Sequence, residues 1–331
     1  MINSCFFNFS TFKNRAFFSK IESSFNQVLT YEDKNLQAKA LRIIPVDRIK
    51  LEAREKFNEY KKGQNLKEEE EEELEFVLLE LLSWYKNEFF QWVNEPECVT
   101  CQTKEFMNYH SSGIPTEFEL TWGAGRVEVY KCIKCNQITR FPRFNHPSKL
   151  LDTHRGRCGE WANCFTLCLR ALGFEARYVL DWTDHVWSEV YSRSQKRWLH
   201  IDACESSLDK PLVYEHGWGK KLSYIIAFSC EEIVDVTWRY SSKHKEVLSR
   251  RNECNEGWLV QLLNRMNNYR QQHLSIERRK ELESRFVIEL VEFVSPKVIK
   301  DGEDVGRQSG SLQWRLERGE IGDSIKQVNL L

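Results

Sequence analysis

Arg157-Cys158-Gly159-Glu160-Trp161-Ala162-Asn163 opens a run in which Trp161, Phe165, Cys168 and Leu172 recur at i, i+4, i+7 and i+11. That spacing lays one apolar stripe along a helix over residues 158–172, with Gly173 as a C-cap. Cys158 therefore sits at a helix N-terminus, where unpaired N–H groups and the helix dipole favour a thiolate and offer donors to an oxyanion. The expectation is a thiol pKa below about 8.5.

Downstream, residues 176–180, 185–191 and 198–202 alternate apolar and polar side chains, and a polar link over 192–197 joins the last two. Helix followed by an antiparallel meander predicts an α+β fold. Alternation also assigns faces. His185, Trp187 and Glu189 point one way, while Val186, Ser188 and Val190 point the other. Trp198, His200 and Asp202 share a face opposite Leu199 and Ile201. Pairing of these two strands would bring His185 and Asp202 together on one side of the sheet. A thiol, an imidazole and a carboxylate in this order are the working parts of a cysteine hydrolase or acyltransferase acting on amide bonds. Cys158 taken alone also fits a plain thiol at a helix cap.

Cys98-x-x-Cys101 and Cys132-x-x-Cys135 are separated by 30 residues. Two such knuckles can close a four-sulfur structural zinc site, and four sulfurs leave no open position for catalysis. Redox dithiols and unpaired core cysteines are the other readings of these pairs. A zinc ribbon can also bind nucleic acid, but this segment has few basic clusters.

The 48 basic and 49 acidic side chains give a net charge of −1, which exerts no general pull toward nucleic acid or anionic membrane. No run of about 18 apolar residues is present, so no membrane span is expected. The cysteines number eleven and are scattered, which favours a reducing compartment. Residues 1–20 are rich in Phe and Lys/Arg and lack acids. They read as a docking helix or frayed end, or as a mitochondrial transit segment. Residues 14–60 read as helical with an interruption at Pro45, and the glutamates at 68–73 as a solvated first turn of the next helix. Residues 256–294 return to helical periodicity. Residues 300–331 are Gly-rich and charged and are expected to be loosely ordered.

Three stretches carry a family resemblance: Arg157 to Asn163 as quoted, Asp184-His185-Val186-Trp187-Ser188-Glu189-Val190, and Trp198-Leu199-His200-Ile201-Asp202. They resemble the cytosolic peptide:N-glycanase family of the transglutaminase-like superfamily. Trp92-Val93-Asn94, Trp122-Gly123-Ala124-Gly125-Arg126-Val127-Glu128, and Gly306-Arg307-Gln308-Ser309-Gly310-Ser311 with Trp314-Arg315 fit the same family. The likeness covers roughly residues 30–270.

The resemblance implies a transglutaminase-like (papain-like) core over 61–270, with an antiparallel sheet, a catalytic helix and an inserted zinc-binding lobe at 95–142. A helical extension at 1–60 and a C-terminal helix and tail at 271–331 flank it. It implies hydrolysis of the amide between an asparagine side chain and the first N-acetylglucosamine of an N-glycan. Cys158 would be the nucleophile, His185 the acid and base, and Asp202 the orienting carboxylate. Cys98, Cys101, Cys132 and Cys135 would hold one structural Zn2+. Trp92 and Glu189 match sugar contacts of the chitobiose site, against a core tryptophan and a surface-strand glutamate as plain readings. Trp122 matches a tryptophan that assists the oxyanion, against core packing.

The implied setting is cytoplasm and nucleus, acting on denatured N-glycoproteins during ER-associated degradation. The length leaves no room for the N-terminal PUB domain or a full C-terminal sugar-binding domain, so the layout resembles the shorter fungal type. There, an N-terminal helix docks onto the XPC-binding domain of a ubiquitin-shuttle repair protein, and through it the proteasome. The Phe-rich segment at 10–28 is the candidate here. A catalytically silent scaffold, and a transglutaminase or cysteine protease using the same residues, are the competing expectations.

Overall fold

Helix and meander form where the periodicity places them in the computed structural model, which describes residues 12–64 and 73–322. The N-terminal region is helical: α1 (Phe12–Gln27), α2 (Lys34–Ile43), α3 (Val46–Gln64) and α4 (Glu73–Trp84). Asp33 caps α2 by accepting from the N–H groups of Asn35 and Leu36. Pro45 separates α2 from α3 because the residue before a proline is driven out of the helical region; Ile44 is extended, at φ −68 and ψ 126.

A two-residue strand β1 (Gln91–Trp92) leads into the cysteine-bearing lobe. That lobe contains β2 (Met107–Gly113), α5 (Glu117–Thr121), β3 (Val127–Cys132) and β4 (Ile138–Pro142), its strands forming a three-stranded antiparallel sheet in the order β2-β3-β4. Its own small core comprises Val93, Met107, Tyr130 and Phe141 with the buried cysteines. Then α6 (Pro147–Thr153), β5 (Arg155–Gly156) and α7 (Cys158–Ala171) follow. The main sheet is antiparallel and built from β6 (Ala176–Asp181), β7 (His185–Ser192), β8 (Arg197–Asp202), β9 (Ser207–Leu208), β10 (Ile225–Phe228) and β11 (Ile233–Asp235), in the order β11-β10-β6-β7-β8-β9. Four helices complete the described residues: α8 (His244–Arg250), α9 (Glu256–Gln271), α10 (Ile276–Val294) and α11 (Leu312–Arg318).

Every residue of β6 and β7 is buried, so both faces of the sheet are covered. On the Val186/Ser188/Val190 face lies α7, where Thr166 Oγ1 meets Ser188 Oγ at 2.8 Å. The other face packs Trp187, Tyr214, Trp218, Ile225, Tyr240 and Phe293 of α10 into a second core. Aromatic and branched residues of this kind are each worth about 2 kcal/mol when fully buried, which is why the sheet's position is over-determined.

Two expectations change. Residues 300–322 are ordered rather than loose: they contain α11, and Glu303, Arg307 and Glu320 are buried. Composition marked the segment as polar, but its charged groups find fixed partners across the chain, as described below. Helix α1 also differs from a free docking segment, because Phe17, Phe18, Ile21 and Phe25 are buried in the main core. Its apolar face is occupied by the protein itself. Residues 1–11 and 65–72, which include part of the transit-like segment and most of the glutamate run, lie outside the described residues. Among the described residues, no helix is long and apolar enough to cross a membrane.

Candidate active site

The first turn of α7 is fixed before any chemistry is considered. The Glu160 carboxylate accepts from the Arg157 backbone N–H at 2.9 Å and from the Arg143 guanidinium at 2.6 and 2.7 Å. The Arg157 side chain reaches the other way, to Glu128 (2.8 Å), to the Tyr130 hydroxyl (2.9 Å) and to the Val93 carbonyl (3.0 Å). The helix start that bears Cys158 is thus tied to β3 of the cysteine-bearing lobe. Gly156 is required here by close approach: a Cβ would lie 2.3 Å from Glu160 Cβ.

His185 opens β7 and Asp202 ends β8. These strands pair with Glu189 opposite His200 and Ser188 opposite Ile201, so the two residues fall on one face. His185 Nε2 lies 2.7 Å from Asp202 Oδ2, and both side chains are almost fully buried. The carboxylate also accepts from the Tyr214 hydroxyl at 2.9 Å and the Cys204 backbone N–H at 2.9 Å, and Tyr214 in turn meets His200 Nε2 at 2.7 Å. Because a carboxylate in this position accepts, the imidazole carries its proton on Nε2 and leaves Nδ1 unprotonated.

Burial, then the charges of Arg307 and Lys220, hold His185 well below the usual imidazole range. Burial also pushes the Cys158 thiol up, with Asp184 and Glu160 adding to it and Arg307 and Arg143 opposing. Desolvation works against the helix N-terminus here, although Cys158 is itself only half-buried.

Trp92 pairs through β1 with Gly156 of β5, which brings it beside the Cys158 turn. Its indole N–H donates to Asn94 Oδ1 at 2.9 Å, and its ring lies 6.2 Å from that of Trp314. Both rings line a cavity of about 240 Å³ together with Asn94, Asn108, Tyr109 and Arg157. A larger groove of about 550 Å³ lies at the opposite end of α7, against Leu172 and Gly173. At 1.5 Å rise per residue that end is about 20 Å from Cys158, so the groove is separate from this site.

Trp122 follows α5 and stands edge-on to His146, with ring centroids 5.4 Å apart. Its carbonyl accepts from the backbone N–H groups of Asn145 and His146.

Glu189 is placed differently from a sugar contact. It shares the His185 face, but that face is covered by α10. Its carboxylate is fully buried and accepts from Arg239 (2.5 Å), Tyr240 (2.7 Å) and Arg177 (3.3 Å). Arg177 and Arg239 also bind Glu289 of α10. Alternation gave the face correctly but not what packs on it.

The sulfurs of Cys98, Cys101, Cys132 and Cys135 all lie within 4.8 Å of one another. Cys98 and Cys135 are 3.4 Å apart, and Cys132 and Cys101 are 3.9 Å apart. Sulfurs on a tetrahedral metal at about 2.3 Å stand about 3.8 Å apart, so this donor set fits a metal ion. The Cys101 backbone N–H, pointing at Cys98 Sγ, pulls that thiol down, while the neighbouring sulfurs push Cys101 up to about 12.

With this geometry in place, comparison with known proteins is informative. The transglutaminase-like superfamily model matches residues 123–203, and the Rad4 transglutaminase-like domain model matches 182–287. The chain is 56% identical over 305 residues to the peptide-N(4)-(N-acetyl-beta-glucosaminyl)asparagine amidase of Gallus gallus, covering 91% of this chain and 46% of that protein. For the Homo sapiens protein of the same name the identity is 55% over 313 residues, covering 93% and 47%. For that of Arabidopsis thaliana it is 44% over 312 residues, covering 93% and 42%. The chain belongs to the peptide:N-glycanase family. It spans about half the length of the curated relatives it matches.

A solved structure of Rad4-Rad23 crosslinked to undamaged DNA aligns with a TM-score of 0.52 at 14% identity, covering 88% of this chain and 60% of that one. That likeness concerns the fold alone. Of the other residues that surround the site, Tyr214 and Arg143 carry no local signal, and Glu128 and Arg307 stand out only as parts of family-like stretches with no role attached. Glu160, three residues after Arg157, is readable as a helix-start carboxylate.

Proposed function

We propose that this chain acts as a peptide:N-glycanase, hydrolysing the amide between an asparagine side chain and the first sugar of an N-glycan. The observation that carries the reading is the His185 Nε2 to Asp202 Oδ2 contact of 2.7 Å, which leaves Nδ1 as the base in a chain whose α7 begins with a thiol. Identity of about 55% to proteins named for this amidase activity supports it.

In this reading the Cys158 proton passes to His185 Nδ1 as sulfur attacks the side-chain carbonyl carbon. Backbone N–H groups of the first turn of α7 receive the oxyanion, with Trp122 as an additional donor. The C–N bond breaks, and the imidazolium proton goes to the departing glycosylamine. Water, deprotonated by the same nitrogen, then opens the thioester, leaving aspartate in place of asparagine and regenerating the thiol. The Trp92 indole would lie against the chitobiose core, since an indole face suits the apolar face of a pyranose. Glu189 acts at a distance by fixing β7.

The four cysteines would hold Zn2+, a borderline-soft ion for which four thiolates make a closed structural site. Its contribution is to hold the lobe to which Arg157 is anchored. Denatured glycoproteins from the endoplasmic reticulum are the proposed substrates, in cytoplasm and nucleus. A ubiquitin-shuttle protein with an XPC-binding domain is the proposed partner, met through a surface other than the buried face of α1. The test is glycan release from a denatured glycopeptide; a folded, metal-loaded protein that leaves the glycan attached would contradict the proposal.

A further inference from the structure

Residues 300–322 run across the site as a strap. Glu303 accepts from the backbone N–H groups of Leu212 (2.8 Å) and Lys300 (2.7 Å). The Glu205 carboxylate receives the N–H groups of Gln308 (2.7 Å) and Ser309 (3.2 Å), and Asn94 receives that of Ser311 (2.9 Å). The turn around Gly306 is tight: a Cβ there would lie 2.2 Å from the Ile321 carbonyl carbon. These ties deliver one side chain inward. Arg307 is fully buried, donates to Glu320 (2.8 Å) and Ser309 Oγ (3.0 Å), and lies over the rings of Trp218 (4.7 Å) and Trp314 (4.4 Å). Its Nη2 stands 3.4 Å from His185 Nδ1.

We propose that Arg307 is a further component of the reaction centre: its guanidinium donates to His185 Nδ1, fixing the resting tautomer, and supplies the positive charge against which the Cys158 thiolate forms. The inference rests on the reading of Cys158 as nucleophile given above. Nδ1 must be released when the thiol proton arrives. At 3.4 Å that contact is at the long end of the hydrogen-bond range, so little is lost. A guanidinium never gives up its own proton, so it acts as a fixed charge rather than as a competing acid.

His185 is in contact with Asp202 and Arg307, and the charges of Lys220, Glu205, Glu320 and Asp184 act on it as well, with His200 and the Tyr214 hydroxyl beside Asp202. The charges that act on Cys158 are Arg307 and Arg143, which favour the thiolate, and Asp184 and Glu160, which oppose it, with Tyr178 and Cys204 as the other titratable groups near it. Arg307 is common to both sets. Loss of its charge moves thiol and imidazolium the same way: the thiolate loses an attractive partner and the imidazolium a repulsive one, so each keeps its proton to higher pH. Loss of the Glu320 charge acts in reverse.

The experiment is the pH dependence of iodoacetamide alkylation at Cys158, followed by mass spectrometry of the Cys158 peptide in the folded, metal-loaded protein. Arg307→Met raises the midpoint by about 1 pH unit. Arg307→Lys keeps it near that of the wild type, and Glu320→Gln lowers it. An unchanged midpoint in Arg307→Met overturns the proposal, as does faster alkylation at every pH, which would make the strap a cover that must lift. Should Arg307→Met fail to fold, Glu320→Gln decides: a downward shift supports the proposal and an unchanged midpoint contradicts it. Alkylation does not depend on the glycopeptide, so shifts in a protein that releases no glycan would remove the substrate reading and leave this one standing.

Discussion

Asp202 and His185 meet at 2.7 Å through Oδ2 and Nε2, on a sheet face closed to solvent. In the proposed reaction this contact decides which imidazole nitrogen is the base. Asp202→Asn presents an amide that can donate, which favours the other tautomer and puts a proton where the base is needed. Glycan release should fall by about 10³–10⁴-fold in kcat, the scale seen when a triad carboxylate is neutralised. Circular dichroism and melting should stay close to wild type. Near-normal kcat in Asp202→Asn would refute the assignment.

The buried cluster of Arg177, Arg239, Glu189 and Glu289 joins β6 and β7 to α10. Removing one member leaves a buried charge without its partner, which costs about 3–5 kcal/mol. Glu189→Ala should therefore lower the unfolding free energy by about that amount in urea titrations. An unchanged midpoint would mean that the carboxylate does not hold the sheet to the helix.

The proposed metal site and the proposed reaction are coupled through Arg157, whose guanidinium bonds Glu128 on β3. Cys132→Ser, or prolonged chelation, should release the bound metal, expose residues 95–142 to proteolysis and lower glycan release. The readouts are metal content and limited proteolysis together. A variant that loses its metal yet resists the protease would exclude a structural role for the ion.

Two buried imidazoles make stability sensitive to mild acid. Burial lowers His200 to about 4 and holds His185 well below its usual range. Both are neutral in the folded chain while the unfolded chain takes up protons below about 6.5. Stability is therefore complete above that pH and is lost as the pH falls, by at most about 1.4 kcal/mol per pH unit for each imidazole. Most carboxylates with resolved shifts are lowered and act only nearer pH 4, though Glu232, raised by burial, opposes weakly. Urea unfolding between pH 6.5 and 5 should show the loss, and His200→Gln should flatten it; a flat wild-type profile would contradict the account.

Much of the site could be read locally. Cys158 announces itself at the head of a 3.6-period stripe. His185 and Asp202 follow from two-residue alternation, and the cysteine knuckles from spacing alone. What the sequence hid was non-local. Glu189 lies on the expected face, but nothing in its neighbourhood announces α10, some 100 residues later, as the surface that covers it. Arg307 sits in a Gly-rich, charged stretch that by composition reads as a loose tail. Its order comes from Glu205, Asn94 and Leu212, partners about 90 to 220 residues away in the chain. The surroundings of the thiol are hidden for a related reason: a helix N-terminus is visible in sequence, whereas the side chains that pack around it, such as Glu160 and Arg143, are brought there by the fold.

The most direct measurement compares wild type and Cys158→Ala on one denatured N-glycopeptide, scoring by mass the free glycan and the conversion of the linked asparagine to aspartate. The wild-type protein should yield both products in equal amounts, and Cys158→Ala neither above background. Equal conversion by the two proteins would contradict a sulfur nucleophile at the head of α7.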